Sequence, residues 1–187
     1  MITKIKEKIR ALVEDFPKSD FETFTYGTSS IFTLSESNIT TISKVLKNGN
    51  ELGTGDYSYD SVTNKIEIIS SLTNGDIVEI DYTYNKYSDE ELIEYIRASL
   101  VWITWYSDSD LADFELENGE IVPTPDNKAT DLIALISSII IKPNYSSYRL
   151  PNLTVTYPRR MSKEEKIQRL ITKFERGIGL NVVITIE

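Results

Sequence analysis

The alternation of apolar and polar residues between Ile31 and Tyr84 constrains the fold of this chain more than any other feature. In the run Ile77–Tyr84, apolar or aromatic side chains alternate with acidic residues and threonine. A period of two places one face of a strand on a core and the other face in water. The alternation therefore predicts antiparallel β structure in this part of the chain.

Turn signals divide this region into short segments. Asn48-Gly49 and Asn74-Gly75 stand between alternating runs, and the pair Asn-Gly supplies the positive φ that tight hairpins need. We therefore predict a β module of about five strands. The predicted strands lie near Ser30–Leu34, Ile42–Lys47, Tyr57–Asp60, Lys65–Ser70 and Asp76–Tyr84.

Aromatic side chains recur within this module. Cross-strand packing is the expected role of such residues in a sheet. A platform on which a sugar ring stacks is the alternative. The aromatic residues are Phe32, Tyr57, Tyr59, Tyr82 and Tyr84.

Helical periodicity dominates the rest of the chain. In the second and third of four predicted helices, apolar residues cover more than one face, which indicates burial in a core or in an interface. The sequence thus predicts an α+β fold: a helical frame from residues 1–27 and 85–187, and an inserted antiparallel module, sandwich- or barrel-like, over residues 28–84. A polar and aromatic connector is predicted at Phe21–Ser30. The predicted helices are Met1–Phe16, Ser88–Tyr106, Asp126–Lys142 and Ser162–Arg176.

The composition excludes several kinds of catalytic chemistry. The chain contains no Cys and no His, so thiol nucleophiles, Ser-His-Asp triads and Cys/His zinc sites are impossible. Asp108-X-Asp110 begins like a calcium loop, but Ala112 and Asp113 break the pattern. We predict no catalytic, cofactor-binding or metal-binding residue. An enzyme that uses only carboxylates or a Ser-Lys pair is the remaining alternative.

Charge is distributed unevenly along the chain. The net charge of −9 argues against sequence-specific binding of nucleic acid. Residues 106–126 contain seven acids and no base, whereas residues 155–176 contain seven bases and three acids. We expect Asp108–Pro125 to be an acidic loop. If these segments lie on opposite sides of one subunit, they favour head-to-tail association of copies into a ring.

Two further segments are candidates for contacts with partners. The terminal run Leu180–Glu187 predicts a strand with apolar residues on both faces, which pairs either within its own chain or with a neighbouring chain. Asn144–Pro158, rich in Tyr, Ser, Asn and Pro, is expected to be extended and to face a partner. Leu132–Ile141, the longest apolar run, contains two serines and is shorter than the ~18 residues that a membrane span needs, so no membrane association is expected.

The order of these parts resembles the head–tail connector proteins, also called adaptor or head-completion proteins, of tailed bacteriophages. In the helical frame, the residues that carry the resemblance are Tyr87–Leu100, Ile121–Asp126, Asp131–Ile136 and Arg159–Ile167. The β module is similar to a module of phage virion proteins through Lys47–Leu52, Tyr57–Asp60, Lys65–Ile68 and Asn74–Tyr84. Simple connectors of this type are mostly helical with a short hairpin, so the size of the insert here is a departure.

The resemblance implies a structural virion protein without catalytic residues. It would form a homo-oligomeric ring, commonly a dodecamer, beneath the portal protein, contact tail or further neck proteins, and let genomic DNA pass through its lumen without sequence-specific binding. A non-catalytic module that binds a glycan or a host surface is the alternative. We expect the interfaces to involve Trp102, Trp105, Tyr145, Tyr148, Arg159, Arg160, Lys163, Val182, Ile184 and Ile186.

Overall fold

A computed structural model describes residues 1–108, 113–151 and 153–176, and the backbone of residues 182–185. The fold is α+β, and the chain divides into two compact units. The β unit comprises Phe16–Ser88, and the helical unit comprises Met1–Asp15 together with Asp89–Glu187.

The β unit contains two antiparallel sheets. Strand order is β1-β7-β3-β4 in the larger sheet and β2-β6-β5 in the smaller one, and among these strands no sheet closes on itself. The alternating runs of the sequence form strands as expected, with boundaries that differ by a few residues. The strands are β1 (Lys18–Thr25), β2 (Ile31–Thr33), β3 (Ile39–Lys47), β4 (Asn50–Glu51), β5 (Tyr57–Asp60), β6 (Lys65–Ile68) and β7 (Ile77–Tyr84).

Both sheets contribute side chains to one hydrophobic core. The buried members come from β2, β3, β6 and β7 and from the residue after β2. On β7 the buried residues are every second one, because neighbouring side chains of a strand point to opposite faces. The core consists of Phe32, Leu34, Val45, Ile66, Ile68, Val78, Ile80 and Tyr82.

The two Asn-Gly pairs form different turns. Asn48 and Gly49 both have positive φ, 50° and 78°, as a tight two-residue hairpin requires, and they join β3 to β4. In the second pair, Gly75 alone has positive φ, and the N–H of Asp76 donates to the carbonyl of Thr73 at 2.9 Å. This geometry matches a type II turn, which needs positive φ only at its third residue.

The predicted connector at Phe21–Ser30 is wrong over its first half. Lys18–Thr25 is β1, which pairs antiparallel with β7 along its whole length, from Lys18 opposite Tyr84 to Thr25 opposite Ile77. An edge strand such as β1 buries little of either face, and its side chains are exposed or half-buried. Without a buried face, the alternation that reveals a strand in a sequence is weak.

The helical unit is built around one central helix. Its helices are α1 (Ile2–Val13), α2 (Asp89–Tyr106), α3 (Asn127–Ile141) and α4 (Lys163–Glu175). Helix α3 packs against α1, α2 and α4, and every residue from Ala129 to Ile139 is buried. The apolar coverage of several faces that the sequence shows for α3 is thus explained by burial within this unit.

Ion pairs attach α1 to the starts of its neighbours. Lys6 and Arg10 both pair with Asp89, the first residue of α2, and the Arg10 Nη2 to Asp89 Oδ1 distance is 2.9 Å. Lys8 pairs with Asp131 of α3. These contacts hold the pKa of Asp89 below its ordinary value, chiefly through the hydrogen bond from Lys6.

Short strands occupy two segments that the sequence predicted to be irregular. The acidic loop contains a hairpin of β8 (Glu115–Glu117) and β9 (Glu120–Val122). Asn144–Pro158 contains a second hairpin, β10 (Ser147–Leu150) and β11 (Leu153–Thr156), rather than an extended arm. The backbone of β12 (Val182–Thr185) pairs in parallel with β11 of the same chain.

Candidate functional site

The second half of α2 carries large apolar side chains at the surface of the helical unit. Trp105 is 69% exposed and Val101 is 45% exposed. The opposite side of the same turns is buried through Leu100 and Ile103. The exposed residues follow each other at a spacing of four, so they form one continuous patch. We call Val101, Trp102, Trp105 and Tyr106 the α2 aromatic face.

The rings of the α2 aromatic face are held by contacts with each other. Trp102 stacks on Tyr106, with centroids 5.6 Å apart and an interplanar angle of 6°, and meets Trp105 edge-on at 5.7 Å and 69°. The Lys163 ammonium lies 5.9 Å from the centroid of Trp102. Aromatic pairs in these geometries attract beyond their burial, so the face is partly ordered before it meets any partner.

A shallow groove runs beside this face, between α2 and β8. Its volume is about 250 Å³. Apolar atoms come from both elements, and Arg97 and Glu115 add one charge of each sign to the lining. The lining residues are Arg97, Leu100, Val101, Thr104, Phe114, Glu115 and Leu116.

Charges of opposite sign occupy different elements of the helical unit. Glu115, Glu117 and Glu120 are exposed on the β8–β9 hairpin. Arg159 and Arg160 are exposed between β11 and α4, and Lys163 is half-buried in the first turn of α4. The segments that the sequence distinguished by charge therefore present accessible acids and accessible bases.

The start of α4 is set by its sequence. Ser162 accepts a hydrogen bond from the N–H of Glu165 at 3.2 Å, and the Glu165 carboxylate accepts from the N–H of Ser162. This reciprocal capping box satisfies two donors that the helix leaves free. At the other end of α4, the Glu175 carboxylate accepts from the Ser107 hydroxyl at 2.6 Å and from the Asp108 N–H at 3.0 Å. Helix α4 is thus fastened beside the C-terminal end of α2.

The two tyrosines expected at an interface have structural contacts instead of open surfaces. Tyr148 is 1% exposed, and its hydroxyl donates to the carbonyl of Lys142 at 2.5 Å. Tyr145 is half-buried, and its hydroxyl accepts from the Lys142 ammonium at 2.7 Å. Burial raises the pKa of Tyr148 and of the neighbouring Tyr157. Tyr148 therefore belongs to the core of the helical unit.

Lys166, one of the seven bases in residues 155–176, is a buried cation. It is 2% exposed, and its ammonium donates to the carbonyls of Pro143 and Tyr145, the latter at 2.9 Å. Burial lowers its pKa below the ordinary value. The sequence contained a signal for this position, because Lys166 precedes Leu170 by four residues and so lies on the apolar stripe of α4.

The remaining interface candidates lie in the terminal strand. The structure places the backbone of Val182 and Ile184 in β12. Their side chains, and the whole of Ile186, lie outside the described residues.

Other site types find no support in the part of the chain that the structure describes. There, no group of three or more acidic side chains is arranged to hold a metal ion. Over the same residues, no helix combines the length and the apolarity needed to cross a membrane. A scan against protein-family models found no match, and a search of curated proteins found no significantly similar protein.

Proposed function

We propose that this chain is a structural, non-catalytic subunit of a phage virion, a head–tail connector that forms a ring beneath the portal and links the capsid to the tail. The proposal is supported by the resemblance of its helical segments and β module to such proteins. The exposed α2 aromatic face is the single observation that carries the assembly function.

An exposed face of this composition is typical of a protein interface. Trp and Tyr are enriched where proteins bind each other, because rigid rings bury much area at little cost in conformational entropy. Trp102 and Tyr106 are already stacked, so binding a partner would cost little further conformational entropy in these side chains. The groove beside Val101 offers this partner a recess for an apolar side chain.

The distribution of charge indicates which surfaces of neighbouring subunits would meet. The acidic hairpin carries Glu115 and Glu117, and the segment before α4 carries Arg159 and Arg160. Different patches that attract each other generate head-to-tail contacts, which close into a ring when the rotation between subunits permits. We propose that the acidic hairpin of one subunit meets the basic segment of the next, with the α2 aromatic face buried between them.

The β unit would be a small two-sheet sandwich carried by this ring. The shared core between the larger and the smaller sheet supports this architecture. In the assembled neck, the ring would contact the portal on one side and tail or further neck proteins on the other. Genomic DNA would pass through the lumen of the ring. The net charge of −9 on each chain gives the ring no general affinity for the phosphates of DNA.

Measuring the mass of the purified full chain, alone and with a purified portal ring, tests the proposal. Static light scattering or native mass spectrometry should show a ring, or a complex on the portal. Val101→Asp and Trp105→Ala should reduce assembly at least tenfold while leaving the circular dichroism spectrum unchanged. Val62→Asp is the control, because Val62 is 91% exposed and lies in the β unit. A parent protein that stays monomeric and ignores the portal would refute the proposal.

A charge exchange tests the orientation of neighbouring subunits. Arg159→Glu with Arg160→Glu should weaken assembly, because acids would then face acids. Adding Glu115→Arg and Glu117→Arg should restore assembly by returning opposite charges to the contact. If the first pair leaves the assembly size unchanged, or if the second pair fails to restore it, the head-to-tail contact is wrong.

A further inference from the structure

The outer face of the larger sheet in the β unit combines an exposed aromatic ring with a free carboxylate. Phe21 of β1 is 65% exposed and stands directly opposite Asp81 of β7 in the strand register. Since Ile80 and Tyr82 point into the core, the side chain of Asp81 points to the outer face. The ring and the carboxylate are therefore neighbours across two strands.

A bulge in the third strand adds a hydroxyl to this row. The register between β3 and β7 shifts between Ile42 and Lys44, so Ser43 is the extra residue of the bulge and Lys44 is the residue paired with Asp81. A bulge bends its strand and redirects a side chain. The resulting cleft, about 350 Å³ in volume, is lined by Ser19, Asp20, Phe21, Ser43, Asp81 and Tyr82.

The carboxylate of Asp81 has unused hydrogen-bonding capacity. It is half-buried, and within the described ranges it has neither a side-chain hydrogen bond nor an ion pair. An ionised carboxylate accepts several hydrogen bonds, and leaving it half-buried without partners costs free energy. By contrast, on the inner face Glu22 is occupied, since its Oε1 accepts from the Tyr82 hydroxyl at 2.7 Å and from the Ser35 N–H at 2.8 Å.

We propose that this cleft binds a neutral saccharide. The C–H face of a pyranose ring would lie on the exposed Phe21 ring, whose π face carries negative charge. Two neighbouring sugar hydroxyls would donate to the Asp81 carboxylate, and Ser19 and Ser43 can donate to or accept from the remaining hydroxyls. Aromatic and carboxylate groups converging at one recess are the pattern of a small-molecule site.

The charge of the cleft selects among ligand classes. On the outer face, Asp81 stands opposite Lys44 of β3 in the strand register, so the two charges offset each other. The cleft therefore favours a neutral ligand over phosphate, sulfate or an acidic sugar. A basic segment of a protein could also pair with Asp81, but the hydroxyls of Ser19 and Ser43 and the flat ring of Phe21 fit a neutral polyol better. The site lies in the β unit, and its existence does not depend on the proposed connector function.

Nuclear magnetic resonance of the ¹⁵N-labelled full chain tests the proposal. The probes are methyl glucoside, methyl galactoside, N-acetylglucosamine, maltotriose and chitotriose, with an oligolysine peptide as the basic alternative. At least one saccharide should give saturable shifts of the amides of Phe21, Ser43 and Asp81. Phe21→Ala and Asp81→Asn should each weaken that saccharide by about tenfold or more. Thr23→Ala is the control, since Thr23 is exposed on the same strand and outside the cleft.

Each outcome decides for or against the saccharide site. The site is supported if Phe21→Ala and Asp81→Asn both lose the saccharide-induced shifts while Thr23→Ala keeps them. All three variants must give the spectrum of a folded protein. No saturable shift with any saccharide overturns it, as does saccharide binding that survives Phe21→Ala, or binding of the peptide alone. Assembly is measured separately, so failure here leaves the connector proposal untouched, and the converse also holds.

Discussion

Replacing the buried Lys166 by Met gives a quantitative test of how the helical unit is held together. The Lys166 ammonium is the donor to two backbone carbonyls that follow α3, those of Pro143 and Tyr145. Met fills most of the same volume but donates nothing. Each carbonyl left without a donor costs roughly 1–3 kcal/mol, and relief of the buried charge returns part of this.

The expected net loss is about 2–4 kcal/mol in the free energy of unfolding. This corresponds to a fall of roughly 5–15 °C in Tm for a domain of this size class. The chain has two tryptophans, Trp102 and Trp105, and both lie in α2 of the helical unit. Tryptophan fluorescence during urea unfolding therefore reports on the unit that contains Lys166, whatever the β unit does.

Lys128→Met is the matched control for Lys166→Met. Lys128 is an exposed lysine on α3 of the same unit, and exposed substitutions of this kind change stability by less than about 0.5 kcal/mol. If Lys166→Met is as stable as Lys128→Met, the two carbonyls do not depend on the Lys166 ammonium. The claim that its hydrogen bonds hold α4 to the segment after α3 would then be refuted.

Three other substitutions test single features. Asp76 accepts from the Thr73 N–H, from Asn48 and from Lys47, and these bonds, the Thr73 N–H first, hold its pKa below the ordinary value. The stability that the ionised Asp76 carboxylate contributes is therefore present above its unfolded-state pKa of about 4 and is lost as pH falls below that value. Asp76→Asn should remove this part of the acid sensitivity of the β unit, measured by circular dichroism. Gly49 has a φ of 78°, so Gly49→Ala should cost about 1–2 kcal/mol. Gly27 has the same open space at its Cβ but no positive φ, so Gly27→Ala should cost less; equal costs would contradict the turn assignment. Ser162→Ala removes the capping box of α4 and should cost about 1 kcal/mol by tryptophan fluorescence, and an unchanged midpoint would show that the cap contributes nothing.

The hairpin in the acidic segment could have been predicted from its turn residues, although the acidic residues favour a loop. Asn118 and Gly119 both have positive φ, 48° and 80°, and they connect β8 to β9 as Asn-Gly connects tight hairpins elsewhere. Leu116 and Ile121 flank this turn as a cross-strand pair. The seven acids of the segment favour a solvated loop, yet the Asn-Gly turn and the paired apolar residues are sufficient to predict the hairpin.

Assignments that required knowledge of a neighbouring element could not be predicted from the sequence. Strand β1 exists because β7 offers it a free edge, and its polar side chains do not reveal that edge. Tyr148 could equally have faced a partner, and only the packing of β10 against its own unit buries it. The sequence does not predict that Phe21 and Asp81 are neighbours, because this depends on the register between β1 and β7.

The sequence by itself determined what depends on short-range periodicity. Alternation specified β7, the stripe and capping box specified α4, and the absence of Cys and His excluded whole classes of chemistry. Tertiary structure decided which apolar surface is covered: α3 is buried on all sides, whereas α2, with similar apolar content, leaves Val101 and Trp105 exposed. The physical reason is that hydrophobicity is a property of each residue, but burial depends on which other elements lie within contact distance.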